Sequence, residues 1–398
     1  MPVVKETSEK RIQVVSGFRR FMYRITVPKI VKNVFNTKFT KRVLISYITT
    51  PFVRGISKRH TNYMECFTAA ENFHELGYRV DVIKYTRKAK IDYGNYDVVY
   101  GLGKALEGAF YSDCAEKIRK IYYSTGACSF YWNKRSALKV LKFQKETGKI
   151  IPQAARLHGD LLTLQSVMPD LNVCLGNQFM ADTYLEINPD INIRTLNNFY
   201  YDSYDIDLSQ KNFKEARKHF LWFGSGGTLH KGLDILIDIF SQRNDIFLHI
   251  GGASRKEKKF FDYYQPIIDK SDNIIDHGFV NVASGAFREI MNKCAFVVHP
   301  SVAEGQPGSV IAVMANGGLI PVVSSSSGLD VEKYGYVFED IEKNVVCGKI
   351  DEVLKLTEEE LYEKSLKAKK DMWENYSYPK YKANLLKILS DELRGKGF

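Results

Sequence analysis

The sequence predicts two α/β domains of the Rossmann type, each built on a parallel β-sheet. Short runs rich in β-branched residues alternate with helix-like segments, a rhythm typical of parallel strands joined by crossover helices. The alternation stops in a polar stretch at residues 202–214 and restarts at His219, which indicates a linker between two domains. With 398 residues, 44% of them hydrophobic, the chain is long enough for two ordinary domains.

The strand and helix predictions follow the periodicity of apolar residues. In the first half, we expect strands at residues 43–48, 78–85, 96–100, 120–124 and 172–176, and helices at 60–76, 104–118, 134–146 and 178–187. In the second half, we expect strands at 219–224, 246–250, 274–277, 295–299 and 319–323, and helices at 231–242, 256–270, 283–292, 308–317 and 358–393. The predicted domains are 41–205 and 215–375, followed by a C-terminal helix at 376–398 that packs back on the first domain.

Residues 1–40 are predicted to form a basic, amphipathic helical extension. Residues 1–42 hold eleven Lys or Arg and two Glu, a charge of +9 out of the formal +11 of the chain. Apolar residues share one helical face at 18–25 and again at 30–35, with a break expected at Pro28. Such a segment can bind an anionic membrane surface, or it can pack on its own domain with its charges solvated. Without interleaved stacking aromatics, nucleic acid is not an expected partner.

Composition indicates a cytoplasmic protein at the inner face of the membrane. The first residues lack the apolar core of a secretory signal, and no apolar stretch approaches the ~18 residues of a membrane span. The six cysteines are scattered and form no CxxC pair. We therefore expect a reducing compartment, no disulfides and no metal site.

The segment at 295–330 predicts a ligand site at the end of a strand. An apolar strand ends at His299-Pro300, a loop with one acid, Glu304, follows, and a helix starts near Gly308. Ligands of open parallel sheets bind at this carboxyl edge. Glu304 can accept hydrogen bonds from sugar hydroxyls, and the amides of the helix start can face a diphosphate. The alternative, that Glu304 only caps the helix, is weakened by its distance from the helix in sequence.

A glycine-rich turn opens the second domain and predicts a phosphate site. Gly224 ends a strand, Ser225-Gly226-Gly227 follow, and Lys231 stands where the next helix starts. A helix start favours an acid, so a lysine there indicates a bound anion. A plain turn with a solvated lysine is the alternative. The pattern is neither GxGxxG nor a P-loop.

The order of these motifs resembles the GT-B glycosyltransferases of the family 4 type. The motifs are KGLD at 231–234, HGFV at 277–280, AFVVHPS at 295–301, EGQP at 304–307 and MANGGLIPVVS at 314–324. The resemblance is close over residues 219–338 and looser over 41–198. It implies two Rossmann-like domains facing a cleft, with a nucleotide-sugar in the second and the acceptor in the first, no metal or cofactor, and usually retention of the anomeric configuration.

The resemblance also implies roles for individual residues. Lys231 and Glu304 would be the catalytic pair. The donor would contact the remaining predicted site residues: Gly224, Ser225, Gly226, Gly227, Gly278, Phe279, Val280, Gly305, Gln306, Pro307, Gly308 and Ser309.

Two positions depart from the family pattern. Ala312 stands where a second glutamate usually binds the ribose, and losing such a charge-assisted hydrogen bond costs about 1.5–3 kcal/mol. Ser225 stands where an arginine often follows the glycine, which leaves Lys231 as the main expected cation.

The acceptor side is predicted in the loop after the first strand. Gly55, Arg59 and His60 lie there in a cationic group that would suit an anionic, lipid-linked acceptor, or they form an ordinary exposed loop. His158 and Asp160 could be acid–base groups or a capped turn.

The sequence therefore predicts a hexosyl- or deoxyhexosyltransferase that moves a sugar from a UDP-, GDP- or dTDP-sugar to a surface glycan or lipid-linked acceptor. The rival interpretations are a non-catalytic scaffold of the same fold, for which Ala312 is the best support, a sugar-nucleotide epimerase or hydrolase of related fold, and a nucleic-acid binder.

Overall fold

The computed structural model describes residues 29–57, 60–158 and 163–394. The chain divides into two units. Unit 1 holds the described residues up to Tyr122 and those from Leu385 onward, and unit 2 runs from Tyr123 to Asn384. The domain limits derived from the sequence remain predictions.

Unit 1 is built on a sheet with the strand order β1-β3-β2-β4-β5. Strands β2 to β5 are parallel where they pair, and β1 is antiparallel to β3. The last residues of β5 continue into unit 2. The elements are β1 (Ile30–Val31), β2 (Arg42–Tyr47), α1 (Thr50–Arg54), α2 (Asn62–Glu75), β3 (Arg79–Lys84), β4 (Val98–Gly101), α3 (Lys104–Phe110) and β5 (Arg119–Ser124).

The helix predicted for residues 30–35 is wrong. Ile30 and Val31 form β1, a strand that pairs with Ile83 and Val82 of β3. Two β-branched residues suit an edge strand, and pairing satisfies backbone groups that β3 would otherwise present unpaired. The rest of the predicted extension, residues 1–28, lies outside the described residues.

Unit 2 begins with helices and with two parallel strands, β6 and β7. The sequence analysis predicted the first of these strands. The second strand of this pair was not predicted. These elements are α4 (Ser129–Thr147), α5 (Leu164–Val167), β6 (Leu171–Leu175), α6 (Gln178–Leu185), β7 (Ile193–Leu196) and α7 (Phe213–Ala216).

A second sheet of six parallel strands follows in unit 2. Its strands are β8 (His219–Phe223), β9 (Phe247–Gly251), β10 (Ile274–Asp276), β11 (Phe296–His299), β12 (Ile320–Ser324) and β13 (Tyr336–Phe338). The helices are α8 (Leu233–Phe240), α9 (Lys258–Ile268), α10 (Gly285–Lys293), α11 (Gly308–Gly317), α12 (Lys343–Val353), α13 (Glu358–Asn375) and α14 (Tyr378–Arg394). Strands β8 to β12 match predicted ones within three residues, and β13 was not predicted.

The order of the second sheet, β10-β9-β8-β11-β12-β13, is that of a Rossmann fold. Strand order reverses between β8 and β11, so the loops after these two strands diverge and leave a crevice at the carboxyl edge. The sheet is buried on both faces, with Phe220, Trp222 and Val297 fully enclosed. The crevice is therefore attached to a rigid core.

Three histidines cross the second sheet in a hydrogen-bonded row. Nδ1 of His219 lies 2.9 Å from Nε2 of His249, whose Nδ1 lies 2.8 Å from Nε2 of His277. Burial lowers the pKa of His219 to about 4 and that of His249 to about 3, and nearby Lys293 adds to both shifts. The row is therefore neutral at physiological pH.

We predict that the free energy of unfolding falls as pH drops from about 6.5 towards 4. In that window, histidines of the unfolded chain bind protons that the buried, neutral row does not, so acid favours unfolding. His249→Gln should reduce the slope of stability against pH by up to about 1.4 kcal/mol per pH unit. Urea titrations at a series of pH values measure this slope. The exposed His60→Gln is the control, and an unchanged slope in His249→Gln would contradict the prediction.

Candidate active site

Two loops meet at the crevice between β8 and β11. Gly224 directly follows β8, and the loop 300–307 follows β11, which pairs with β8 in parallel. Gly232, at the start of α8, has φ +69°, and a Cβ there would lie 2.2 Å from the backbone oxygen of Pro300. Only glycine permits this approach. The close contact between the two loops brings Lys231 and Glu304 together.

Lys231 and Glu304 form a buried ion pair. The ammonium nitrogen lies 2.7 Å from Oε1 of the carboxylate, and both side chains are 8% exposed. The backbone of Glu304 is fixed on both sides: its N–H donates to the oxygen of Ser326, and its oxygen accepts from the N–H of Ala127. The two residues predicted from separate motifs thus occupy one site.

A second cation binds the same carboxylate oxygen. Nη1 of Arg156 lies 3.0 Å from Oε1 of Glu304, and its side chain is 41% exposed. Burial alone would raise the pKa of Glu304, but Lys231 and Arg156 together hold that pKa well below its usual range. Burial also lowers the pKa of Lys231, against the attraction of Glu304. The carboxylate is therefore ionised at neutral pH.

Neutral rings surround this cluster. Trp132 stacks on His230 at 4.5 Å between ring centroids, and Nδ1 of His230 lies 2.9 Å from the hydroxyl of Ser136. Burial lowers the pKa of both His230 and His299 to about 3, so neither ring carries charge. Among the described residues, His299 has no hydrogen-bond partner for either ring nitrogen. Orphaned buried polar groups of this kind concentrate at functional sites.

The glycine-rich turn holds an anion from its own chain. The N–H groups of Gly227 and Thr228, together with the Thr228 hydroxyl, donate to the carboxylate of Glu257. The turn thus has the donor geometry that an anion requires. One of the amides predicted to bind a diphosphate, that of Gly227, is already satisfied by this carboxylate.

The loop at 305–309 is anchored by its side chains and backbone. A Cβ on Gly305 would lie 2.6 Å from the oxygen of Thr125, so this position also requires glycine. Oε1 of Gln306 accepts from the N–H of Asn198, and Nε2 donates to Oδ1 of Asn197. The oxygen and the nitrogen of the Gln306 side chain are therefore both hydrogen-bonded within the protein.

Helix α11 starts at this loop. Pro307 is its N-cap, and Gly308 and Ser309 are in its first turn, where amides have no acceptor inside the helix. Ala312, half-buried on the same helix, offers only a methyl group.

Three residues that the donor is predicted to contact, Gly278, Phe279 and Val280, follow β10. Gly278 has φ +61°, and its N–H donates to Oδ1 of Asp276 at 2.8 Å. Phe279 is 78% exposed, whereas Val280 is buried. An exposed aromatic ring at the carboxyl edge is available to a ligand.

The predicted acceptor residues belong to unit 1. Gly55 follows α1 with φ +88°, and His60 is exposed, with its Nδ1 accepting from the N–H of Asn62. Arg59 and Asp160 lie outside the described residues. His158 stacks on Trp132 at 5.0 Å. The acceptor role remains a prediction.

Sequence reasoning missed several members of the cluster. Arg156 lies two residues from His158, which was noticed, but it is separated from Glu304 by 148 positions. No local spacing connects such residues. Glu257 and Trp132 were missed for the same reason. The one local signal was the RLHGD segment at 156–160, of which only His158 and Asp160 were considered.

One cavity of the described residues lies elsewhere. It has a volume of about 910 Å³ and is lined by residues that include Lys211, His219, Phe247 and Arg288. His219 and Phe247 start their strands, so this cavity is at the amino edge of the second sheet. Ligands of such sheets bind at the other edge, and we therefore place the candidate site at Glu304.

Part of the chain matches a known protein family. Residues 217–355 match the family model described as glycosyl transferases group 1. No curated protein matches the chain.

Solved structures share the fold at low sequence identity. Sucrose-phosphate synthase from Thermosynechococcus elongatus has 12% identity and a TM-score of 0.62, over 90% of this chain and 100% of that chain. HepE from Anabaena, in complex with UDP and glucose, has 14% identity and a TM-score of 0.59, over 88% of this chain and 99% of that chain. The chain shares the GT-B fold of these structures, and its residues 217–355 are similar to glycosyl transferases group 1. Its predicted fold, two Rossmann-like parallel sheets, is confirmed.

We predict that the buried pair contributes to the stability of this protein. Lys231→Met keeps the apolar stem but leaves Glu304 with one cation, and breaking a buried pair costs about 3 kcal/mol of unfolding free energy. Lys343→Met is the matched control, because its pair with Asp238 is solvent-exposed and should contribute less than about 1 kcal/mol. Urea denaturation measures both, and equal losses in the two variants would contradict the prediction.

Proposed function

We propose that this glycosyltransferase moves a hexose or deoxyhexose from a nucleotide-sugar to a cell-surface glycan or lipid-linked acceptor. The observation that carries the proposal is the buried cluster of Lys231 and Glu304 at the switch point of the second sheet. A cation beside a helix start suits a departing diphosphate, and an ionised carboxylate suits sugar hydroxyls.

Catalysis would rest on charge stabilisation of the leaving diphosphate. A lysine about 4 Å from a phosphate charge contributes about 4 kcal/mol at an effective dielectric of 20. The start of α11 contributes at most about 2 kcal/mol. Lys231 is therefore the dominant predicted contact to the leaving group, and Glu304 orients the sugar. The reaction is proposed to retain the anomeric configuration, with the leaving phosphate taking the acceptor proton.

UDP is the first nucleotide to test. HepE, which shares the fold, was crystallised with UDP and with UDP-glucose. GDP and dTDP remain candidates, because Ala312 provides no carboxylate for the ribose. Among the described residues, no group of three or more His, Cys, Asp or Glu is arranged to hold a metal ion. Metal independence is part of the proposal.

The acceptor and the cellular location are the least constrained parts of the proposal. Gly55, Arg59 and His60 form a cationic loop that suits an anionic, lipid-linked acceptor. Residues 1–40 carry the charge to hold the enzyme at the cytoplasmic face of an anionic membrane. In the described part of the chain, no helix is long and apolar enough to span a bilayer.

A non-catalytic scaffold is the second candidate function. Ala312 removes the ribose ligand, and Glu257 occupies two amides of the glycine-rich turn. A scaffold of this kind should not bind nucleoside diphosphates.

A thermal-shift screen of UDP-, GDP-, ADP- and dTDP-sugars distinguishes the two functions. A donor that binds only the native protein raises the melting temperature. A specific shift followed by sugar transfer supports the enzyme, and binding should be checked by calorimetry. Absence of any nucleotide binding would overturn the proposed function.

We predict that Lys231→Ala lowers turnover far more than Ser309→Ala does. Lys231 provides a full charge near the diphosphate, whereas the Ser309 side chain is one neutral group beside amides that the substitution keeps. Loss of about 100-fold or more is expected for the lysine variant, against less than tenfold for the serine variant. Kinetics with saturating acceptor measure the difference. Equal, mild losses would remove Lys231 from the proposed site.

A further inference from the structure

We propose that Arg156 is the second cation that binds the donor diphosphate, an inference that rests on the proposed function. The residue lies far in sequence from every motif of the second domain, yet its guanidinium contacts Glu304 at the same oxygen as Lys231. One carboxylate carries too little negative charge to neutralise two cations. A ligand that brings negative charge is the natural complement of this arrangement.

The local backbone presents Arg156 to the site. Arg156 has φ +49°, a left-handed conformation that is uncommon outside glycine and is typical of functional sites when it persists. Two hydrogen bonds hold the segment: Nε1 of Trp132 donates to the Arg156 oxygen at 2.8 Å, and the N–H of His230 donates to the oxygen of Ala154. The guanidinium also lies 5.2 Å from the centre of the Trp132 ring. The side chain is therefore preorganised.

The glycine-rich turn is shaped to receive this side chain. A Cβ on Gly227 would lie 2.2 Å from Cδ of Arg156, so the stem of the arginine passes directly over the turn. The turn itself offers no cation, because Ser225 stands where related sequences often have arginine. Arg156 thus brings a guanidinium to the turn from a distant segment of the chain.

Charge and exposure favour a ligand over a purely structural pair. His230 and His299 are neutral, and Glu257, the other acid near Lys231, is hydrogen-bonded to the amides of the turn. The Lys231 side chain is 8% exposed, whereas that of Arg156 is 41% exposed. Arg156 is consequently the cation that an arriving diphosphate can reach first. Its planar fork can bind phosphate oxygens in pairs.

The test compares binding of UDP and of uridine to wild type, Arg156→Ala and Arg156→Lys. Loss of a charge-assisted contact should weaken UDP binding tenfold or more in Arg156→Ala, and less in Arg156→Lys. Uridine affinity should stay within twofold, because uridine has no phosphate. Calorimetry measures UDP binding, and ligand-observed NMR measures uridine. GDP with guanosine replaces this pair if wild type does not bind UDP.

Arg135→Ala is the matched control. Arg135 is on α4 and donates to the backbone oxygen of Val302 at 3.4 Å, near the same loop but without a contact to Glu304. It should leave UDP affinity unchanged.

Two further variants separate binding from folding. Gly227→Ala should displace Arg156 and weaken UDP binding, whereas Gly77→Ala, with similar φ and open space around it, should not. Ser225→Arg in the Arg156→Ala background should restore part of the lost affinity.

If Arg156→Ala lowers only the melting temperature and binds UDP like wild type, the arginine is a structural brace and the inference is wrong. Failure of wild type to bind any nucleoside diphosphate would instead overturn the proposed function.

Discussion

One carboxylate oxygen, Oε1 of Glu304, accepts from two cations in a region that is almost closed to water. An unpaired ionised carboxylate in such a place would cost several kcal/mol, so the loops that hold the cations cannot move independently of it. The glycine contacts around the site follow from this constraint. The absence of a side chain at Gly232, Gly305 and Gly227 leaves room for Pro300, Thr125 and Arg156, respectively. Each of these close approaches is needed to bring the charged side chains of the cluster together.

The sheet topology explains why the cluster forms at this place. Strands β8 and β11 are neighbours in the sheet, although residues 224–295 lie between them in sequence. These 72 residues form neither a hairpin nor a single crossover. Their connections leave in opposite directions, so the turn with Lys231 and the loop with Glu304 border one crevice. A protein built on this sheet thus obtains paired charges from two local motifs, and the rigid core below them fixes the spacing.

The sequence predicted those features that depend on local patterns. Lys231 and Glu304 could be found because each belongs to a strand–turn–helix unit with its own periodicity. Arg156 could not, since its position depends on a left-handed backbone angle and on partners 148 positions away. The short strand β1 was mistaken for helix because Ile30 and Val31 fit either period, and only pairing with β3 decides. Gln306 is predicted to face the donor through its backbone amide, and its side chain is held by Asn197 and Asn198, which no local pattern indicated.

Under the proposed function, the charges of this cluster also determine what can bind there. A neutral ligand would gain little from Lys231 and Arg156, because it brings no negative charge to the cluster. A diphosphate carries more negative charge than one carboxylate and can therefore compete for both cations, which frees Glu304 to accept from hydroxyl groups. Release of the carboxylate and capture of the phosphates are then one exchange of partners, in which sugar hydroxyls replace the cations as donors to Glu304. Such an exchange couples sugar recognition to the presence of the leaving group, and a free sugar without phosphate would meet a carboxylate that is still paired.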